Sequence, residues 1–186
     1  MAAANRGTAL LVMDVQPNIL SRIEDGSVFL ARVRNAVHHA HKRQIPVIFV
    51  VVGFRPGLPE ISAHNRSFGA LKAASGTAMI DPKPSIEPEG TDVVVTKRRV
   101  SAFAGSDLEV LLRGMEIRHL VLSGISTSGV VLSTTREAAD KDFQLTILSD
   151  LCADFDTEVH RVLLEKVFPR QAEVMPSTAW YEQSAE

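Results

Sequence analysis

The sequence predicts an α/β fold in which a parallel sheet is covered by helices on both faces. Three observations carry that reading. Short, continuous apolar runs recur along the chain, without the alternation of a half-exposed sheet. Stretches with helical spacing lie between them. Strands and helices therefore alternate, as right-handed parallel crossovers require. The 186 residues suit one domain, 1–186, with a core that needs no metal or disulfide to hold it.

The first strand is expected at Thr8–Met13, ending at Asp14. Val28, Ala31, Val33, Ala36 and Val37 then form a helical stripe, with Ser27 placed to cap it. Residues 46–52 form the second strand, closed by Gly53. The connection from Gly53 to Gly90 breaks the rhythm with Pro56, Pro59, Pro82, Pro84 and Pro88, and loops of that length are usually functional or irregular. A third strand covers 92–96, followed by Lys97. Ser106 and Glu109 have capping-box spacing and open a helix through Leu112. A fourth strand, 119–123, runs into Gly124. Thr127 or Ser128 can cap the helix through Thr135, Ala138 and Ala139. A fifth strand covers 144–148, and Cys152 is placed after it. Asp156 or Thr157 caps a helix containing Val159, Val162, Leu163 and Val167, which Pro169 stops. A weaker sixth strand lies at 172–175.

Composition narrows the function. Lys and Arg number 20 against 22 Asp and Glu, a net charge of −2, which argues against a general nucleic-acid binder. Lys97, Arg98 and Arg99 leave only a local basic patch. A single cysteine excludes an intrachain disulfide. The apolar run near the start contains Asp14 and is too short for a signal or a span. These features read as a soluble, cytoplasmic protein that does not engage membranes.

In open α/β sheets, ligands bind beyond the carboxyl ends of the strands. Asp14, Lys97 and the turn from Gly124 to Gly129 occupy such positions. A carboxylate beside an ammonium in a partly dry crevice can serve acid–base chemistry. A Gly/Ser/Thr turn entering a helix offers backbone N–H groups to an oxyanion. Each also has an ordinary structural reading: a loop carboxylate, a solvated lysine, a plain turn.

Taken together, the motifs resemble the isochorismatase-like (cysteine hydrolase) superfamily. Leu11-Val-Met-Asp14-Val-Gln16 resembles its first motif. Val94-Val-Thr-Lys97, with Ser101, Ala102, Phe103, Gly105 and Leu108, resembles the second, which carries an active-site lysine. Gly124-Ile-Ser-Thr127, with Thr134, Glu137, Ala138 and later Leu148-Ser-Asp150, resembles the third. The resemblance spans roughly residues 8 to 175. It implies a three-layer α/β/α, Rossmann-like fold with a six-stranded parallel sheet ordered 3-2-1-4-5-6. It also implies a homodimer or homotetramer acting on a small-molecule substrate without a cofactor. By the same resemblance, the Ser126 and Val130 backbone would form the oxyanion hole, after a cis Ile125–Ser126 peptide. Gln16, Ser128 and Gly129 would face the substrate. Arg55 would either grip a substrate carboxylate or stand as a solvated loop residue. Phe103, like Phe68 beside Asn65, would either line the pocket or belong to the core.

One departure outweighs these matches. Hydrolytic members of the superfamily carry cysteine six residues after the motif glycine, and here that position is Val130. Valine cannot attack a carbonyl, because thiol catalysis needs a thiolate. Cys152 reads as a buried, inert thiol. Ser126, Ser128 or Ser133 would need Asp14 as a base to act instead. The metal-binding members have an Asp-x-His…His cluster after strand two. Here the stretch from Gly53 to Glu60 has no histidine, and only His64 follows, so no metal is expected. His38 and His41 share a helix face without a third ligand, and the solvated-surface reading covers them and His39.

Two classes of function follow. In one, Asp14 protonates a vinyl ether such as isochorismate, or activates water for amide or ester hydrolysis. In the other, the fold binds a small molecule or partner without catalysis, and Asp14 and Lys97 persist as an ion pair.

Overall fold

The computed structural model describes residues 7–73 and 82–183. Six parallel strands form one sheet in the order β3-β2-β1-β4-β5-β6. They are β1 (Thr8–Met13), β2 (Val47–Val52), β3 (Val93–Lys97), β4 (His119–Ile125), β5 (Gln144–Ala153) and β6 (Glu173–Met175). The helices are α1 (Pro17–Leu20), α2 (Gly26–Lys42), α3 (Arg66–Ala73), α4 (Leu108–Gly114), α5 (Leu132–Asp140), α6 (Thr157–Val162) and α7 (Ser177–Gln183). The three-layer arrangement and strand order are those expected.

Residue alternation splits the core between the two faces of the sheet. Ala9, Leu11 and Met13 of β1 pack with Leu108 and Leu112 of α4 and Ala138 of α5. Leu10 and Val12 pack with Phe29, Val33 and Ala36 of α2 and Trp180 of α7. Every residue of β1 and β2 is buried, which is why those runs read as continuous. Trp180 thus packs into the core, and Tyr181 stacks beside it on His39. β3 is an edge strand, and Val94 there is exposed.

Several local expectations are corrected. The α2 stripe runs through Phe29, Val33, Ala36, Val37 and Ala40, leaving Val28 and Ala31 exposed. The helix turns the larger Phe29 inward, which buries more apolar area. It starts at Gly26 behind Asp25, so Ser27 is not its cap. Ser106 Oγ accepts from Leu108 N–H at 3.2 Å, but Glu109 pairs with Lys141 rather than closing a capping box. Asp156, rather than Thr157, caps α6, accepting from Glu158 and Val159 N–H.

β5 continues past Leu148 to Ala153, so Cys152 lies within that strand and not after it. Its register on β4 jumps from Leu122↔Ile147 to Gly124↔Cys152. The irregularity leaves Asp150 free to accept from both the N–H and the hydroxyl of Ser177, each at 2.7 Å. The motif aspartate therefore anchors the start of α7.

Candidate active site

Asp14 closes β1. Its N–H donates to the Val50 carbonyl at 2.8 Å, extending the ladder to β2. Its φ of 56° then turns the chain sharply, a left-handed conformation that aspartate tolerates better than most residues. Lys97 closes β3 and is almost completely buried. The two side chains meet across the end of β2, with Lys97 Nζ 2.9 Å from Asp14 Oδ2.

Lys97 also donates to the carbonyls of Arg99 and Val100, each at 2.9 Å. An ammonium has three N–H donors, so all three are committed inside the protein. A substrate carboxylate could take one only by displacing a present partner. Asp14 differs: its Oδ1 is buried with no hydrogen-bond partner among the described residues. Burial raises the Asp14 pKa to about 6, although the charge and hydrogen bond of Lys97 pull it down. Desolvation penalises the carboxylate more than one partnered oxygen compensates.

The other predicted residues divide sharply. The Gln16 amide is fully buried and committed to β2: it accepts from Val52 N–H at 2.8 Å and donates to the Val52 carbonyl at 3.3 Å. It fixes the chain leaving Asp14. Arg55 is exposed and grips Glu60 at 2.5 Å. Arg98 donates to the Gly53 carbonyl, and Arg99 to the Glu60 carbonyl at 2.8 Å. Arg98 and Arg99 thus tie the end of β3 to the loop after β2. Phe103 is buried in the core against Phe143, and Phe68 packs edge-on against Phe54. Asn65 Oδ1 accepts from Phe68 N–H at 2.9 Å, at the start of α3.

The third motif lies beside the second. The Ile125–Ser126 peptide is cis, and a widened helical turn, Thr127–Val131, leads into α5. A Cβ on Gly129 would lie 4.0 Å from Val100 Cγ1, and Val100 is the residue whose carbonyl holds Lys97. Val130 is buried in the same apolar cluster as Met13, Ala102 and Phe103. Its side chain belongs to the core. Ser128 is exposed and Gly129 half-buried.

Neither Thr127 nor Ser128 caps this turn with its side chain. Asp154, beyond β5, accepts from Ser128 N–H at 2.6 Å, and His160 of α6 hydrogen-bonds Thr127 Oγ1 at 2.8 Å. Thr134 Oγ1 accepts from Ala102 N–H at 3.0 Å, while Ser101 donates to Glu137 at 2.6 Å. The motif residues Thr134 and Glu137 therefore pin the loop after Lys97 onto α5. Asp154 and His160 were not legible in the sequence, because their partners are brought to them by tertiary contacts alone.

Cys152 is buried and its thiol is pushed up to about 12 by desolvation. Ellman's reagent at pH 8 is expected to leave the native protein unlabelled and to label one thiol per chain after unfolding. Labelling of the native protein would show that this strand opens readily. Among the described residues, no group of three His, Cys, Asp or Glu side chains is placed to hold a metal ion. His39 packs on Trp180 and Tyr181, and His41 pairs with Asp92 at 2.8 Å. Only His38 keeps the solvated position expected of all three. No helix among the described residues is long and apolar enough to cross a membrane.

The chain has known relatives in sequence and in fold. The isochorismatase domain model matches residues 8–179. The isochorismatase family protein YwoC of Bacillus subtilis is 32% identical over 166 residues, covering 88% of this chain and 86% of that protein. The ureidoacrylate amidohydrolase RutB of Stutzerimonas stutzeri is 29% identical over 172 residues, 77% of this chain and 68% of that protein. The structure of an isochorismatase family protein from Burkholderia thailandensis superimposes with a TM-score of 0.77 at 25% identity, covering 98% of this chain and 97% of that one. The chain belongs to the isochorismatase family, in a form that has valine where the hydrolytic members carry their cysteine.

Proposed function

We propose that the protein is a hydrolase that works without a protein nucleophile, with Asp14 as its general acid on a vinyl ether such as isochorismate. The observation that carries this reading is the Asp14 carboxyl: buried, near pKa 6, with Oδ1 unpartnered among the described residues. A group with that pKa is protonated in about a tenth of molecules at pH 7. Lys97 holds Oδ2, so Oδ1 is the atom that carries the proton. Asp14 protonates the terminal alkene carbon, and the ether oxygen stabilises the resulting oxocarbenium ion. Water adds to that ion and loses a proton to the Asp14 carboxylate. The hemiketal then collapses to pyruvate and the ring alcohol. No thiol is needed, which agrees with valine at position 130.

A second reading rests on the likeness to a ureidoacrylate amidohydrolase. There the ionised Asp14 would draw a proton from water attacking an amide or ester. The two readings predict opposite pH dependence. Purified protein incubated with isochorismate is expected to release pyruvate, with kcat/KM falling as pH rises above about 6. Asp14→Asn should lower the rate by at least about a hundredfold. Amide or ester hydrolysis that instead rises through pH 6 would favour the base role. Absence of turnover on all of these substrates would leave a binding module in which Asp14 and Lys97 form a structural pair.

A further inference from the structure

A cavity of about 500 Å³ lies between the start of α2 and the segment joining β5 to α6. Neither Asp14 nor Lys97 lines it. Its wall includes Phe155, an exposed aromatic at 49% accessibility. Over that ring, at 4.3 Å, sits the Arg22 guanidinium. Four carboxylates surround the space, those of Glu24, Asp25, Asp150 and Asp154, against two guanidinium groups. Among the described residues, the hydrogen bonds to Asp150 and Asp154 come from backbone N–H groups and the Ser177 hydroxyl. None of these bonds brings a positive charge to either carboxylate.

We propose that this cavity is a second ligand site, taking a small organic cation with a flat head of the guanidinium type. The aromatic face already accepts such a group from the protein's own chain, which shows that the seat has the right geometry. A cation over an aromatic face is held by the ring quadrupole, more strongly where water is partly excluded. The excess of carboxylates favours a positive occupant and disfavours an anionic one. Arg22 is exposed and lies in the irregular stretch between α1 and α2, so it can swing away from Phe155 and yield the ring.

The site also touches the candidate active site. Asp154 and His160 both line the cavity, and they are the two side chains that hold Ser128 and Thr127 from outside the turn. A cation beside Asp154 competes with the Ser128 N–H for the same carboxylate. Occupancy is therefore felt at the turn that carries Val130.

The test uses butylguanidinium and its uncharged counterpart butylurea, titrated into the protein and followed by amide NMR. Butylguanidinium is expected to give saturable shifts at Phe155 and Ser128, with binding at least about tenfold tighter than butylurea. Phe155→Leu should weaken it by about threefold to tenfold. Arg22→Gln should tighten it by removing the internal competitor, and that gain should vanish in the Arg22→Gln/Phe155→Leu double variant. Both residues are exposed, and unchanged melting temperatures would confirm that the variants are folded. Shifts that never saturate, equal binding of butylurea, or an Arg22→Gln gain that survives loss of Phe155 would each overturn the proposal. None of these readouts depends on turnover at Asp14.

Discussion

Lys97→Met is expected to destabilise the protein by about 3–5 kcal/mol at pH 7, as removal of one partner from a buried ion pair does. The lysine is 1% exposed and satisfies Asp14 Oδ2 and the carbonyls of Arg99 and Val100. Methionine matches much of its stem but supplies no donor, so three acceptors lose their partner at once. Chemical denaturation measures the deficit. Its pH dependence identifies the cause. The Asp14 pKa is raised on folding, from 3.8 to about 6. Its contribution to stability is therefore fully present below about pH 3.8 and is lost as pH rises through about 6. Without Lys97 the folded pKa rises further, since that charge was lowering it. The deficit of Lys97→Met should accordingly narrow as pH falls from 7 towards 4. Asp14→Asn on the same background should recover part of the loss at pH 7, because the amide is uncharged and suits the left-handed backbone. A deficit independent of pH would mean that packing, and not the charge on Asp14, is what Lys97 supports.

Gly124→Ala is expected to cost at least about 4 kcal/mol or to prevent folding, the range reserved for steric and backbone violations in a core. Gly124 has φ of 148°, and a Cβ there would lie 2.2 Å from the Met13 carbonyl oxygen. Both atoms belong to the central β1–β4 pair, where Met13 is the register partner of Gly124. No rotamer change relieves a contact with backbone. The strands would have to part just where β1 delivers Asp14 and β4 delivers the Ser126–Val130 turn. Thermal unfolding and soluble yield measure the effect. Gly114→Ala is the control, because a Cβ at Gly114 meets nothing within 4 Å. Near-wild-type stability for Gly124→Ala would require that the β1–β4 spacing be far more pliable than a close-packed core permits.

Much of this was legible in the sequence. Continuous apolar runs locate strands that are buried on both faces, and β1 and β2 are read directly because every residue in both is buried. The family resemblance carried by the motifs then implies the strand order, and the strand ends place Asp14 and Lys97 at carboxyl ends of the same sheet. The vacant nucleophile position is a matter of counting from Gly124 to Val130. Other features leave no local trace. The α2 stripe was displaced because Val28 and Phe29 are both apolar, and only the sheet decides which one turns inward. The extension of β5 to Cys152 was missed because a register jump has no periodic signature. Gln16 looked like a substrate contact, yet both ends of its amide go to Val52 on the neighbouring strand.

The sequence by itself determined the fold class, the family, the positions of Asp14 and Lys97 at the carboxyl ends of their strands, and the lack of a thiol at position 130. These follow from apolar periodicity and residue identity, which are properties of the chain read along its length. Only the tertiary structure decided that Lys97 has no donor to spare, that Asp14 keeps one buried oxygen without a partner among the described residues, and that Asp154 and His160 hold the Ser126–Val130 turn. Hydrogen-bond commitment and desolvation depend on which distant groups share a few cubic ångströms, and that is fixed by packing.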